Sequence, residues 1–181
     1  RAGDGAAIGR AHVRAWQHGY AHILPATFLD GLDAVQRGAE WEARIESGST
    51  DGQPAAGQLP SITIVGALAG DVLGFASYGP YRSTDSTDRA DDEGLCELWG
   101  LNVDPEAWGT GLAQALMAQT RAGLVETHGR SSTAVLWVLA DNHRGRRFYQ
   151  KENWRPDGVE QPLDLAGTEV TELRYATQLG D

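Results

Sequence analysis

Residues 97–116 constrain this chain more than any other stretch, because they combine a short strand, a Pro turn, a glycine pair and the first turns of a helix. Gly109 and Gly111 carry no Cβ atom, so a bulky anion can approach the backbone closely. The first N–H groups of the helix have no partner inside it, and the helix dipole favours negative charge. The stretch therefore predicts a backbone site for a phosphate-bearing cofactor. It matches neither a Walker A loop nor a dinucleotide fingerprint, which need Gly-Lys-Ser/Thr or a third glycine.

Hydrophobic periodicity and turn residues predict helices and strands in mixed order along the chain. Helices are expected at 4–20, 32–45, 110–126 and 144–151, and strands at 61–65, 72–78, 95–103, 133–139 and 168–176. A hairpin is expected near Gly70 and Asp71, and polar loops at 47–60 and 81–94. Leu112, Ala115 and Leu116 are expected to pack inward. The order favours an α/β sandwich around a central mixed sheet.

Composition limits the class of protein. The 181 residues are 41% hydrophobic and 22% charged, which fits one soluble domain of ordinary size. We expect neither a membrane span nor a signal peptide. Cys96 is the single cysteine, which favours a cytoplasmic location. The net charge of −10 argues against a nucleic-acid partner. It is compatible with a cationic amine substrate, although solubility explains the charge equally well.

Two blocks of the sequence together resemble the GNAT superfamily of N-acetyltransferases. Residues 108–113, Trp-Gly-Thr-Gly-Leu-Ala, are similar to the family's Arg/Gln-x-x-Gly-x-Gly/Ala loop. Residues 135–142, 145–149 and 153–154 are similar to its strand, its Asn-x-x-Ala-x-x-Phe-Tyr motif and its Gly-Phe pair. A weaker match runs from Ala15 and Trp16 to Leu24 and Pro25. Three departures are Trp108 in place of Arg or Gln, Gly145 in place of Ala, and 153–154 in place of Gly-Phe.

The resemblance implies a fold and a cofactor. The fold is a GNAT-like three-layer α/β/α sandwich with a central mixed, mostly antiparallel sheet. It would span 1–181 as a single domain, with a first strand expected to be truncated at the N-terminus. The cofactor would be acetyl-CoA, and no metal is implied; the five histidines likewise show no zinc spacing.

The resemblance also implies which residues contact acetyl-CoA. Its phosphates would meet the loop formed by Trp108, Gly109, Thr110, Gly111, Leu112 and Ala113. Leu101 and Val103 would line the pantetheine arm, and Asn142 would contact the cofactor. The alternatives are an ordinary helix start for the loop and a helix N-cap for Asn142. Gly100, inside the preceding strand, predicts a bulge that would make room for the acetyl group.

Two residues are candidates for proton transfer. Tyr149 is the candidate acid for the leaving thiolate, with a core aromatic as the alternative. Glu97 is the candidate base, because burying an unpaired carboxylate is costly; the alternative is a salt-bridged glutamate. Cys96 is interpreted as a small core residue rather than a nucleophile.

The predicted function is transfer of an acetyl group from acetyl-CoA to a primary amine of a small molecule, amino acid or peptide. The amine would attack directly in a ternary complex. Tyr20 and His22 are candidates for the acceptor pocket, and Trp16, Trp41 and Trp99 either wall it or pack in the core. The alternatives are a non-catalytic CoA-binding or sensing domain and an aminoglycoside-type antibiotic acetyltransferase. No nucleic-acid or membrane partner is expected, and a homodimer is left open.

Overall fold

The computed structural model of the chain describes residues 2–47, 61–82, 94–130 and 132–180. Within these residues, six strands form one sheet in the order β1-β2-β3-β4-β6-β5. The strands are β1 (Ile62–Leu68), β2 (Asp71–Pro80), β3 (Leu95–Val103), β4 (Thr133–Leu139), β5 (Arg155–Leu165) and β6 (Thr168–Gln178). The helices are α1 (Gly5–Gly19), α2 (Ala26–Asp30), α3 (Ala34–Ser47), α4 (Leu112–His128) and α5 (His143–Lys151), and a 3-10 turn covers Pro105–Ala107.

The sheet is mixed and mostly antiparallel, as predicted. β3 and β4 run parallel, whereas the other neighbouring strands pair antiparallel. Successive residues of a strand point to opposite faces, so Phe75 of β2 packs with Ile8 of α1 and Trp41 of α3. Ala76 belongs instead to the larger cluster that contains Met117 of α4. Helices therefore cover both faces, which gives the three-layer sandwich.

Helices α1 and α3 cross at a backbone-to-backbone contact. A Cβ atom on Gly9 would collide with the backbone nitrogen of Gly38, so these helices approach more closely than side chains would permit. Glu42 of α3 also accepts hydrogen bonds from the backbone N–H groups of Gly3, at 2.6 Å, and Gly5, at 2.8 Å. The carboxylate thereby satisfies donors at the start of α1, where its charge also suits the helix dipole.

Strands β3 and β4 separate part of the way along their length. Their pairing runs from Leu95 with Thr133 to Leu98 with Leu136, although β3 continues to Val103 and β4 to Leu139. On its other edge β3 carries a bulge, because Leu98 and Gly100 oppose the adjacent residues of β2 and leave Trp99 as the extra residue. The bulge expected at Gly100 is therefore confirmed, one residue earlier.

Most predicted elements are confirmed, including the hairpin, whose two turn residues Ala69 and Gly70 have φ of 53° and 96°. Three expectations were wrong or incomplete. β5 was missed because Pro156, Gly158 and Pro162 interrupt it, which an edge strand tolerates. The short helix α2 was also missed, and Ala115 is exposed rather than packed inward. The loops expected at 47–60 and 81–94 lie largely outside the described residues.

Candidate active site

A cavity of about 660 Å³ opens where β3 and β4 separate. Residues 99–103 of β3 and 137–139 of β4 form its two facing strand edges, and α5 closes one end. Aromatic side chains from α1 and α3 form the opposite wall. The structure places these predicted site residues on the cavity: Leu101, Val103, Trp108, Gly109, Gly111, Ala113, Asn142 and Tyr149. Thr110, Leu112 and Glu97 do not line it.

The glycine loop presents bare backbone to the cavity. Gly109 and Gly111 have φ of 80° and 91°, and a Cβ on either would meet no protein atom within 4 Å. Among the described residues, no acceptor pairs with the N–H groups of Gly109, Gly111 or Ala113. Thr110 has a structural role, because its hydroxyl donates a hydrogen bond to the carbonyl of Ala107 at 2.7 Å. The loop thus has the donors and the space that an anionic group needs.

Trp108 and Arg144 form a stacked pair beside this loop, which the sequence reasoning missed. The indole Nε1 of Trp108 donates to the carbonyl of Val103 at 2.9 Å, and this bond fixes the ring. The guanidinium carbon of Arg144 lies 3.6 Å from the ring centroid. Both side chains line the cavity. The spacing of basic residues along α5, at 144, 147 and 151, was the available signal.

Tyr149 lies on the cavity wall with its ring packed edge-on against Phe148 and Trp154, at centroid distances of 5.4 and 6.5 Å. In the part of the chain that the structure describes, its hydroxyl makes no hydrogen bond. Burial raises the pKa of the phenol, and the nearby Tyr20 raises that pKa further. The hydroxyl therefore stays protonated at neutral pH and has a proton to donate.

Asn142 caps helix α5, so the N-cap interpretation is confirmed. Its Oδ1 accepts a hydrogen bond from the N–H of Gly145 at 2.9 Å. A Cβ at Gly145 would lie 2.7 Å from Nδ2 of the same amide, so an alanine at this position would require the Asn142 side chain to shift. Burial and Glu172 raise the pKa of Tyr20, and the Asn142 side chain partly offsets that rise.

Glu172 is a cavity residue that the sequence did not single out. It lies on β6 opposite Leu139, at the end of β4 where the strands have separated. Gln161 donates to its Oε2 at 2.9 Å, and no described residue pairs with its other oxygen. It is the acidic side chain among the described residues lining the cavity. β6 is rich in polar residues, and this composition does not predict that Glu172 lines a cavity.

Glu97 is buried, with 2% of its surface exposed, but it is an ion-pair partner. Its Oε2 accepts from the backbone N–H of Arg82 at 2.9 Å, and its Oε1 accepts from the guanidinium at 2.8 Å. These contacts match the salt-bridge alternative given above. The neighbouring Cys96 is also buried, which raises the pKa of its thiol to about 12 and fits a core residue.

Aromatic side chains dominate the wall formed by α1, α3 and β3. Trp16, Tyr20, Trp41 and Trp99 all line the cavity, and Trp41 is at the same time a core residue. The placement of His22 there was wrong, since it is exposed and its Nε2 lies 3.2 Å from the carbonyl of Asp141.

Neither a metal cluster nor a membrane span is found in the described ranges. No group of three or more His, Cys, Asp or Glu side chains is placed there to hold a metal ion. The helices seen in these ranges all lack the length and apolar character needed to cross a membrane.

The separated strands β3 and β4 therefore lie beside a glycine loop in which the N–H groups of Gly109, Gly111 and Ala113 have no partners among the described residues. The chain belongs to the acetyltransferase (GNAT) family, whose model matches residues 35–153, and it is therefore an acyltransferase. It is 29% identical over 168 residues to the uncharacterized N-acetyltransferase YuaI of Bacillus subtilis (strain 168), covering 92% of this chain and 83% of that protein.

Solved structures with the same fold include two that contain the coenzyme. YncA, a putative acetyltransferase from Salmonella typhimurium, was solved with its cofactor acetyl-CoA; the TM-score is 0.65 at 22% identity, over 99% of this chain and 90% of that one. The PaiA N-acetyltransferase of Thermoplasma acidophilum was solved with coenzyme A; the TM-score is 0.62 at 14% identity, over 94% and 91%. At these identities the likeness establishes the fold.

Proposed function

We propose that the protein transfers an acetyl group from acetyl-CoA to a primary amine of a small molecule, amino acid or peptide, by direct attack in a ternary complex. One observation carries this proposal: the facing strand edges, the glycine loop and the Tyr149 hydroxyl all border the same cavity. We place the protein in the cytoplasm, because its sequence contains a single cysteine, Cys96.

The residues present fit acetyl-CoA, which supplies the acetyl group as an activated thioester. The unpaired N–H groups of Gly109, Gly111 and Ala113 suit its phosphates. The edge of β3 from Trp99 to Val103 is free of β4, so its backbone can pair with the pantetheine amides as an added strand would. Holding the two reactants together in this cavity would supply much of the rate.

We propose that Glu172, rather than Glu97, is the base that accepts the proton of the amine. Glu172 lies on the cavity with one oxygen free of protein partners, as far as the described residues extend. Both oxygens of Glu97 accept from Arg82, and protonating Glu97 would weaken that pair. Water can carry the proton between amine and carboxylate where they do not touch.

Tyr149 would donate a proton to the sulfur as the carbon–sulfur bond breaks. Its hydroxyl faces the cavity without a partner among the described residues, and its raised pKa keeps it protonated. Backbone N–H groups near Leu101, on the free edge of β3, are candidates to stabilise the oxyanion.

Two observations bear on the alternatives. Tyr149 and Glu172 on the cavity favour an enzyme over a non-catalytic CoA-binding domain. Basic side chains, including Arg44 and Arg82 on the tryptophans of the aromatic wall, outnumber acidic ones on the described cavity wall. That charge does not favour a polycationic aminoglycoside as the acceptor.

The test compares the native protein with Tyr149→Phe in an assay of thiol release from acetyl-CoA across amino acids, peptide N-termini, polyamines and aminoglycosides. Loss of a general acid predicts a turnover roughly 10²–10⁴-fold lower. Calorimetry with CoA and circular dichroism serve as controls, since affinity and fold should not change. Full activity of the Tyr149→Phe variant would show that Tyr149 is not the general acid. Tight CoA binding without thiol release for any amine would favour the binding domain.

A further inference from the structure

The glycine loop begins with Trp108, where the Arg/Gln-x-x-Gly-x-Gly/Ala motif usually has a charged or amide side chain. An indole carries no charge, and its single N–H is already used, because it donates to the carbonyl of Val103 at 2.9 Å. The ring is therefore fixed beside the glycine loop but gives no direct hydrogen bond to an anion. Any side-chain charge at this end of the cavity must come from elsewhere in the fold.

Arg144 brings a guanidinium to that place. It extends from the first turn of α5, and its Cζ lies 3.6 Å from the Trp108 ring centroid, which is a close stacking distance. Stacking uses the flat face of the guanidinium and leaves its N–H groups at the edge for an anion. Of the carboxylates in the described residues, none pairs with Arg144.

The charge around Arg144 is also the reverse of the charge on the whole chain. The chain carries a net charge of −10, yet α5 turns Arg144, Arg147 and Lys151 toward the cavity. Desolvation and the neighbouring Arg147 both lower the pKa of Arg144, although its side chain is exposed. An anion between these positively charged side chains would reduce their mutual repulsion.

We propose that Arg144, held flat by Trp108, replaces the missing motif side chain and binds a phosphate group of coenzyme A. The inference rests on the proposed use of acetyl-CoA and adds the residue pair that recognises its charge. The phosphate is either in the diphosphate or on the 3′ position of the ribose. Trp108 acts as a positioning residue, because it reaches the phosphate only through Arg144.

Calorimetry of CoA and of dephospho-CoA, which lacks the 3′-phosphate, tests the pair. Arg144→Ala should raise the dissociation constant for CoA about tenfold or more, the loss expected for a charge-assisted hydrogen bond. An equal loss with dephospho-CoA would assign the contact to the diphosphate, whereas no loss with dephospho-CoA would assign it to the 3′-phosphate. Arg10→Ala is the matched control, because it removes the same charge from an exposed position of α1 away from the cavity.

A double-mutant cycle tests whether Trp108 contributes to CoA binding through Arg144 or independently of it. Trp108→Leu and Arg144→Ala should each weaken CoA binding, and the double variant should be little worse than Arg144→Ala alone. Unchanged affinity of Arg144→Ala, or a loss no larger than that of Arg10→Ala, would overturn the inference. Fully additive losses would overturn the positioning role of Trp108. Failure of the native protein to bind CoA would instead remove the cofactor assignment itself.

Discussion

His12 makes the folding stability of this protein sensitive to mild acid. Its imidazole lies in the cavity wall between α1 and α3, with Trp16 and Phe75 each at a ring distance of 5.5 Å. Trp41 donates to its Nδ1 at 3.3 Å. Burial lowers the pKa of His12 to about 4, and the positive charges of Arg37 and Arg44 contribute to that shift.

The sign and size of the effect follow from linkage. The pKa of His12 in the folded protein lies below the unfolded value of 6.5. Between about pH 6.5 and about pH 4, His12 is therefore protonated in the unfolded chain but stays neutral in the folded protein. Stability therefore falls as the pH falls through this window and levels off below it. Between pH 7 and pH 5 the expected loss from this one group is about 2 kcal/mol.

Urea denaturation of the native protein and of His12→Gln at pH 7, 6 and 5 measures this loss. Glutamine keeps an acceptor for the Trp41 indole and does not titrate, so the variant should lose less stability on acidification. The difference between the two proteins should shrink by about 2 kcal/mol across the range. Parallel stability curves would show that His12 titrates normally in the fold and would refute the reasoning.

Two further predictions concern the carboxylates and the glycine loop. Glu172→Gln should lower activity and flatten the acid limb of the kcat/KM profile. Glu97→Gln should keep that limb and lose about 1–3 kcal/mol of stability, because the buried side chain loses its charge-assisted hydrogen bonds to the half-exposed Arg82. If Glu97→Gln instead flattens the acid limb and Glu172→Gln leaves it unchanged, Glu97 is the base. Rate profiles and urea titrations of both variants measure this. Gly111→Val should abolish measurable CoA binding in calorimetry, because a β-branched residue resists a φ of 91° and its side chain covers the N–H groups. Native affinity in that variant would remove the loop from the cofactor site.

The fold could be predicted where the signal is local. The glycine loop, the buried strand β4 and the hairpin each depend on neighbouring residues, and the structure places them as expected. β5 was missed because an edge strand with two prolines carries neither regular alternation nor a continuous apolar run. Ala115 was misjudged because helical spacing alone does not fix which side of α4 faces the sheet.

The site was predicted less completely, because it depends on contacts between distant parts of the chain. No sequence pattern connects Trp108 with Arg144, because only the packing of α5 against the glycine loop brings them together. Glu97 looked like a base because its partner Arg82 lies on another segment. Glu172 stands in an unremarkable polar strand, and only the separation of β4 from β3 places it on a cavity.

The early end of β3–β4 pairing has a consequence for the lifetime of the protein. The backbone of residues 99–103 offers an internal edge where a pantetheine chain can complete the sheet. Such a ligand binds the native chain and not the unfolded one, so resistance to heat and proteolysis rises with its concentration. At a hundred times the dissociation constant the gain is about 2.7 kcal/mol. On the proposed cofactor assignment, the midpoint of thermal unfolding of this acyltransferase should therefore rise with the concentration of coenzyme A.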